Sequence, residues 1–374
     1  MMKKIIAVFF LVMISGCVSG QGVQYTPTSL ATDPNKNEEH QPTETILPTQ
    51  QAPANTITLQ LEDEQVTPIP ERIIRDATCD DSAIKGHILF IHVENNLDYL
   101  YIMDGNGCNF RLLMEDVSGS PAWSIDGNWA ATGCEGGKAI CILSTESILE
   151  TCYSIEKKCN PKVEKKYLLP NFSNSVGIGQ VSWSYDGKYL LVEAFFNQPK
   201  SYTFLLTSKD DGEWEIIIDG GTANSELSPT NDYFIFSDGY SIKGLPLNHV
   251  QLKYYANGEN AIFSPDGKRI TFISWLDVGN DESYAILEWD EKTKPLIRIL
   301  YEPVEYGNGL DTKNFFITPS NYRVLSWSPD DKYLAFIASG KILRLDKETG
   351  EAVLLSANLD FGAYDKFQGL AWGP

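Results

Sequence analysis

The sequence predicts an all-β fold, and within that class a six-bladed β-propeller closed by a composite blade. Three observations carry this prediction. A turn motif recurs along the chain, aromatic residues are frequent without long helical periodicity, and the last copy of the motif stops halfway. Each full copy is followed by short apolar segments with the pattern of strands, and four strands form a propeller blade.

The turn motif places an apolar anchor, usually aromatic, before Ser, then a variable residue or Pro, then Asp, then Gly or Asp. Asp accepts hydrogen bonds from the nearby backbone, and Gly tolerates the positive φ of such turns. Because the carboxylates recur from copy to copy, we interpret them as structural turn formers and predict no catalytic residue among them. The turn residues are Asp126, Gly127, Asp186, Gly187, Asp266, Gly267 and Asp330. The anchors are Trp123, Trp183, Leu227, Phe263, Trp327 and Trp372.

The composite blade follows from the two ends of the predicted propeller. Residues 88–114 supply three strands with no turn motif before them, whereas Gly369–Trp372 supplies a first strand with no partners after it. Joining the two sets completes one blade and removes open sheet edges. With five whole blades between them, the predicted count is six.

These repeats resemble the WD40-like (PD40) repeats of TolB-type propellers, whose pattern is Trp-Ser-Pro-Asp-Gly followed by a strand such as Ile-Ala-Phe. The clearest copies are Phe263-Ser264-Pro265-Asp266-Gly267 and Trp327-Ser328-Pro329-Asp330-Asp331. The resemblance covers about residues 86–374 and implies the propeller fold. TolB-like proteins carry an α/β domain before the propeller and TolB is not lipidated, so the resemblance does not extend to the N-terminal part of this chain.

The N-terminus predicts export. Lys3 and Lys4 precede a short apolar run, so residues 1–16 have the pattern of a signal peptide. Ile14-Ser15-Gly16-Cys17 resembles the bacterial lipobox, which implies that Cys17 is lipidated and becomes the new N-terminus. A plain signal peptide with a chance cysteine is the alternative. The predicted location is a bacterial membrane, facing the periplasm or on the cell surface.

Residues 17–78 are rich in Thr and Pro and poor in aromatic residues, so we expect a lipid-anchored disordered tether. Residues 79–374 then form the propeller. The formal charge of −20 argues against nucleic-acid binding and against a polybasic membrane contact. The predicted membrane contact is therefore the N-terminal lipid only.

Six cysteines remain after Cys17, and an even number in an exported domain suggests disulfides. Fifteen pairings are possible, and we favour local ones such as Cys152–Cys159. A zinc site is the alternative, but the Cys-x-x-Cys spacing is missing. The six candidates are Cys79, Cys108, Cys134, Cys141, Cys152 and Cys159.

Three insertions, at about 155–180, 275–283 and 301–324, are predicted to emerge on the propeller face opposite the turn motifs. Long loops on a rigid scaffold are common binding sites. The aromatic residues there could stack on sugars or anchor a peptide, while the alternatives are neutral loop drift or packing onto the propeller. The acidic residues could bind Ca²⁺, but their spacing matches no known loop, so we predict no metal and no cofactor. The binding-face candidates are Asp277, Asp281, Glu282, Tyr301, Tyr306, Phe315, Phe316 and Tyr322.

Catalytic motifs are missing: the sequence holds neither a Gly-x-Ser-x-Gly elbow nor a His-Glu-x-x-His pair. We therefore predict a monomeric, non-catalytic binding module of the cell envelope. Its partner would be an envelope or extracellular protein, a peptide or a glycan. The alternative is a propeller enzyme, of lyase or hydrolase type, with its site at the channel mouth.

Overall fold

The computed structural model describes most of the predicted propeller. The signal segment and residues 17–73 lie outside the described residues. None of the helices it describes is long and apolar enough to cross a membrane. The described ranges are 74–79, 84–153, 159–169, 175–196, 201–208, 213–219, 223–237, 241–247, 253–278, 281–290, 297–301, 323–358 and 367–374.

The described part of the chain is almost entirely β-structure, with one α-helix, α1 (Thr145–Cys152), between β7 and β8 and a short 3₁₀ turn at Leu355–Asn358. The strands in its first third are β1 (Ile74–Asp76), β2 (His87–Glu94), β3 (Leu97–Asp104), β4 (Arg111–Glu115), β5 (Val117–Trp123), β6 (Trp129–Cys134), β7 (Ala139–Ser144) and β8 (Val163–Leu168). The next eight are β9 (Ser175–Trp183), β10 (Tyr189–Phe196), β11 (Ser201–Ser208), β12 (Trp214–Asp219), β13 (Ala223–Leu227), β14 (Tyr233–Ser237), β15 (Ser241–Pro246) and β16 (Lys253–Asn257). The last are β17 (Glu259–Phe263), β18 (Arg269–Val278), β19 (Asp281–Asp290), β20 (Ile297–Tyr301), β21 (Leu325–Trp327), β22 (Tyr333–Ala338), β23 (Lys341–Asp346), β24 (Ala352–Leu354) and β25 (Phe367–Gly373).

These strands form an all-β propeller with five sheets among the described residues. The prediction of six blades, each a separate sheet, is therefore wrong. The difference lies in one eight-stranded sheet. It contains two antiparallel groups, β5–β8 and β9–β12, and a single parallel bridge between Ser120 and Gln180 joins them. The remaining sheets contain β13–β16, β17–β20, β21–β24 with β1 added at the edge, and β25 with β2–β4. We call each of the following groups of four strands a repeat unit: β5–β8, β9–β12, β13–β16, β17–β20, β21–β24, and β25 with β2–β4. The last of these is the closing unit.

The first strands of the units follow one another around the axis. β5 contacts β25 and β9, β9 contacts β13, β13 contacts β17, β17 contacts β21, and β21 contacts β25 again. The closing unit is composite, as the sequence predicted, because β25 from the C-terminal end pairs antiparallel with β2 from His87–Gly373 to His92–Phe367. The ring of first strands therefore closes, and β25 covers the edge that β2 would otherwise leave open.

Each unit buries its second strand most deeply. Ile88 to Ile91 on β2 and Leu334 to Phe336 on β22 have no exposed surface, because apolar side chains on both strand faces meet neighbouring units. Phe234 on β14 is equally buried. The layers between units thus form the hydrophobic core.

Two sequence-based boundaries need correction. β1 lies inside the segment predicted as a tether, 17–78, and pairs in parallel with β24, so strand structure begins before Cys79. The segment 275–283 was predicted to be a loop, yet β18 and β19 continue through it as paired strands up to Val278 and Asp281. The insertion near 155–180 contains β8, and the added element is α1, which precedes it.

Three disulfides confirm the disulfide prediction. Cys152–Cys159 closes the segment after α1, with 4.3 Å between the Cα atoms, and is the local pair that we favoured. Cys134–Cys141 spans the β6–β7 hairpin, and Cys79–Cys108 joins the segment before β2 to the one after β3. The closing unit and the β5–β8 unit therefore hold all three.

An ion network joins the β17–β20 unit to the β21–β24 unit. Arg269 on β18 donates to Glu288 at 3.0 Å and pairs with Asp331 in the next unit. Lys347 reaches the same Asp331 at 3.0 Å. The side chains of Arg269 and Glu288 are only 12% and 8% exposed, so their charges depend on each other.

We expect Arg269→Ala to lower the free energy of unfolding by about 3 kcal/mol, because the buried Glu288 carboxylate loses the Arg269 guanidinium. Urea unfolding at pH 7 measures the change. Lys332→Ala is the matched control, since its contact with Asp330 is long, at 3.9 Å, and exposed; it should change stability by less than about 0.5 kcal/mol. Equal losses in both variants would contradict a stabilising role of the network.

Candidate functional site

A cavity of about 250 Å³ opens at the channel mouth, on the face that carries the turn motifs. All six predicted anchors line it, and each is no more than 8% exposed. The anchors meet there because each stands at or next to the end of a first strand, and the first strands surround the axis. We call this the channel-mouth cavity.

Hydrogen bonds between neighbouring segments hold three of the indole rings in this wall. Trp183 Nε1 donates to the carbonyl oxygen of Ala122 at 3.3 Å. Trp327 Nε1 donates to Thr271 Oγ1 at 3.0 Å, and Trp372 Nε1 donates to the carbonyl oxygen of Lys85 at 3.2 Å. A wall fixed in this way is largely formed before any ligand binds.

A larger depression, of about 480 Å³, lies outside the propeller axis beside β4, β7 and β8. It is open to solvent and is lined by edge residues such as Glu135, Lys165 and Lys166. We give the channel-mouth cavity more weight because it is more enclosed and because every repeat unit contributes to it.

The channel-mouth cavity holds one pair of opposite charges, Arg323 and Glu226. Arg323 Nη2 lies 3.8 Å from Glu226 Oε1, which is too long for a hydrogen bond. Glu226 Oε2 accepts from the backbone N–H of Phe263 at 2.9 Å. Burial raises the pKa of Glu226, and the Arg323 charge and the Phe263 N–H oppose that rise.

The Arg323 backbone is positioned by two other units. Its N–H donates to Ser120 Oγ at 2.7 Å, and its carbonyl accepts from Leu370 N at 3.0 Å. The side chain, by contrast, is poorly partnered: Nε and Nη2 are buried without a hydrogen-bond partner among the described residues. Arg323 is only 8% exposed.

A layer of buried polar side chains lies deeper along the first strands, three residues before four of the anchors. These residues are Ser120, Gln180, Asn224 and Asn260. Gln180 Nε2 donates to the Ser225 carbonyl at 2.7 Å, and Asn260 Oδ1 accepts from Val324 N at 3.3 Å. Each of these bonds joins two different units, so the layer links the first strands below the cavity.

Glu193 on β10 belongs to this layer and has no exposed surface. Its Oε2 accepts from Asn224 N at 2.9 Å, while Oε1 has no hydrogen-bond partner in the described part of the chain. Burial raises the pKa of Glu193 to about 8, and the Asn224 N–H opposes the rise. The carboxyl group is therefore protonated at neutral pH.

A second polar cluster joins α1 to the closing unit. Tyr153 OH donates to Asp104 Oδ1 at 2.7 Å and lies 3.0 Å from His87 Nδ1. Asn109 Nδ2 donates to Asp104 Oδ2 at 2.7 Å. Burial raises the pKa of Asp104, but the His87, Asn109 and Tyr153 hydrogen bonds outweigh it and hold that pKa below its ordinary value. We interpret this cluster as the contact that docks α1.

The predicted turn residues occupy the motif turns. Ser124 donates to Asp126 at 2.6 Å and Ser264 donates to Asp266 at 2.6 Å. Ser184 and Ser328 donate in the same way to Asp186 and Asp330. The glycines that follow have positive φ: 69° at Gly127, 67° at Gly187 and 69° at Gly267. Burial raises the pKa of Asp266, but the hydrogen bonds from Ser264 and Lys268 outweigh it and hold that pKa below its ordinary value.

The predicted binding-face residues are only partly described. Asp277 pairs with Glu282 across the β18–β19 hairpin, Asp281 begins β19, and Tyr301 ends β20. Tyr306, Phe315, Phe316 and Tyr322 lie outside the described residues, as does Cys17. No group of three or more His, Cys, Asp or Glu able to hold a metal is found among the residues described.

Sequence reasoning missed the channel-mouth cavity because it treated the anchors as packing residues only. Glu226 and Arg323 were missed as well. The sequence did carry a signal for these two residues. Both are charged and stand within four positions of an anchor, and each lies in or next to a short first strand with few other charges.

The fold and site define a disulfide-bonded β-propeller with a cavity at its channel mouth. No family model and no curated protein matches the chain. Among solved structures it is similar to TolB from Acinetobacter baumannii, with a TM-score of 0.53, 16% identity and coverage of 77% of this chain and 67% of that one. It is also similar to a putative TolB from Agrobacterium tumefaciens, with a TM-score of 0.48, 13% identity and coverage of 78% and 99%. At such identities the TolB likeness shows the fold alone.

We expect Glu193→Gln to change the pH dependence of stability. The folded protein keeps the Glu193 proton up to about pH 8, whereas the unfolded chain releases it near 4.5. The folded state thus binds the extra proton between these values, and the wild type loses stability as pH rises through them.

Urea unfolding at several pH values tests this expectation. The stability of Glu193→Gln relative to the wild type should increase from pH 4.5 to 8, because glutamine has no proton to lose. Glu348→Gln, at an exposed carboxylate, is the control and should follow the wild type. A constant difference between Glu193→Gln and the wild type would show that Glu193 is ionised throughout.

Proposed function

We propose that this protein is an exported, non-catalytic binding module whose channel-mouth cavity receives part of a protein or peptide partner. The observation that carries the proposal is the meeting of six anchors around a cavity that contains a buried, poorly partnered Arg323. Pre-formed apolar cavities with a few polar groups are typical ligand sites. Ile125 supports this reading, since it stands on the cavity lining with 53% of its surface exposed.

The exported location rests on two supports. The three disulfides are stable in oxidising compartments, and the first seventeen residues have the pattern of a lipoprotein signal. We further propose that Cys17 carries the lipid, so that the propeller stays at a bacterial membrane. A glycan partner stays a prediction, as does a binding surface on the predicted opposite face formed by Asp277, Asp281, Glu282 and the aromatic residues of 301–324.

We also propose that the eight-stranded sheet acts as two blades, which gives six repeat units around the axis. The support is the single bridge between β5 and β9, compared with four or more paired residues between most neighbouring strands inside each unit. All six anchors then occupy equivalent positions around the channel-mouth cavity.

Partner binding is tested with a charge at the rim of the cavity. Ile125→Arg should reduce capture of the partner from envelope extract at least about tenfold, while the melting temperature stays unchanged because Ile125 is exposed. Leu97→Arg is the matched control, since Leu97 is 51% exposed and does not line the cavity. The proposal fails if both variants capture the partner as the wild type does.

Lipid anchoring is tested at Cys17. We expect Cys17→Ser to move the protein from the membrane fraction to the soluble fraction and to abolish labelling by a radioactive fatty acid, because the acylated thiol is lost. Ser19→Ala should leave both unchanged. Persistence of Cys17→Ser in the membrane fraction would exclude the lipobox interpretation.

A further inference from the structure

We propose that the channel-mouth cavity binds a carboxylate attached to an apolar group, and that its source is the C-terminal residue of a peptide chain. The inference rests on the proposed function and names the chemistry of the ligand. It starts from Arg323, whose environment is incomplete without an acceptor.

The Arg323 guanidinium has more donors than the structure satisfies. Nε and Nη2 are buried without a hydrogen-bond partner in the described part of the chain, and Glu226 Oε1 is 3.8 Å from Nη2. A buried cation with unused N–H groups is costly unless an acceptor fills the site. A carboxylate matches best, since its two oxygens accept two parallel N–H groups of a guanidinium.

Glu226 does not supply that acceptor. Its Oε2 is already bonded to Phe263 N at 2.9 Å, which holds the carboxylate near Arg323 without bringing it into hydrogen-bond contact. Ser326 adds a second donor, because it lines the same cavity and its hydroxyl oxygen accepts from Trp372 N at 2.8 Å, leaving the O–H proton to donate. The polar part of the cavity therefore offers donors from Arg323 and Ser326 beside the Glu226 carboxylate.

The anchors supply the apolar part of the wall. Trp123, Trp183 and Phe263 are among the residues that would contact the group attached to the carboxylate. The volume of about 250 Å³ is below the ~300–1,000 Å³ of ordinary ligand pockets. Such a cavity fits the end of a chain, one side chain with its terminal carboxylate, rather than a whole extended ligand.

The acidic charge of the protein opposes this ligand only weakly. The formal charge is −20. Burial raises the pKa of Tyr185 at the rim, and the charges of Asp266 and Glu226 raise it further. At physiological salt, exposed charges are screened beyond about 8 Å. Direct contact with a buried guanidinium is screened far less, so the local donor set decides the preference.

The experiment titrates the intrinsic tryptophan fluorescence of the full exported chain with Ala-Ala-Ala-Phe, as the free acid and as the C-terminal amide, at 0.15 M salt. We expect the acid to bind at least about tenfold more tightly than the amide. A third titration with 3-phenylpropionate distinguishes a peptide end from a small organic acid. The peptide acid should bind more tightly, because its backbone also contacts the rim.

Two cavity variants and one control variant assign the effect to the cavity. Arg323→Gln should remove the preference for the acid, whereas Arg111→Gln, which removes a positive charge outside the cavity, should keep it. Glu226→Gln should strengthen binding of the acid several-fold, because it removes the negative charge beside Arg323 and retains an acceptor for Phe263 N. This second variant keeps the test valid if Arg323→Gln fails to fold.

Equal binding of acid and amide, no binding of either peptide, or an unchanged preference in Arg323→Gln would overturn the carboxylate inference. Equal binding of 3-phenylpropionate and the peptide acid would overturn the peptide source. The proposed function fails separately, through the Ile125→Arg experiment. Loss of partner capture in that variant together with no carboxylate preference would leave the binding module intact and discard only the ligand chemistry.

Discussion

The pairing of β25 with β2 is the constraint on which the rest of the structure depends. It joins β25, the first strand of the closing unit, to β2, the second strand of that unit, over six residue pairs. Only when this pairing closes the ring do β21 and β5 both contact β25. The anchors then face a common axis, and the backbone N–H of Arg323 can donate to Ser120 Oγ, 203 residues away in sequence. The channel-mouth cavity is thus a consequence of closure rather than a property of any single unit.

Closure of the ring and the geometry of the turns could be predicted because both leave short motifs that the sequence shows directly. Ser264 and Asp266 lie two residues apart, and their hydrogen bond follows from the turn type. The count of separate sheets was wrong, since the bridge between Ser120 and Gln180 depends on how two strands approach in space. The α1 helix was missed because its eight residues are too few for a clear helical period.

The site was harder to predict than the fold because its members are far apart in sequence. Glu226 and Arg323 are nearly a hundred positions apart and belong to no shared motif. Glu193 looks like an isolated carboxylate within a strand, and only the packing around β10 shows that it is fully buried. Charge burial is a tertiary property, so a sequence pattern gives no direct sign of it.

The repeats also explain where individual chemistry can arise. At the position four residues before the anchor, the β21–β24 unit has Arg323, whereas two other units have Gly119 and Gly179. At the position one residue before the anchor, the β13–β16 unit has Glu226, whereas two other units have Ala122 and Ala371. Residues shared by the repeats maintain the scaffold, because each blade needs the same turn and the same anchor. A departure at an axis-facing position faces the space common to all units. Arg323 and Glu226 are two such departures, and they place opposite charges in one cavity, where the guanidinium has unused donors. The charges in the cavity therefore come from residues that break the repeat, whereas its shape is set by those that keep it.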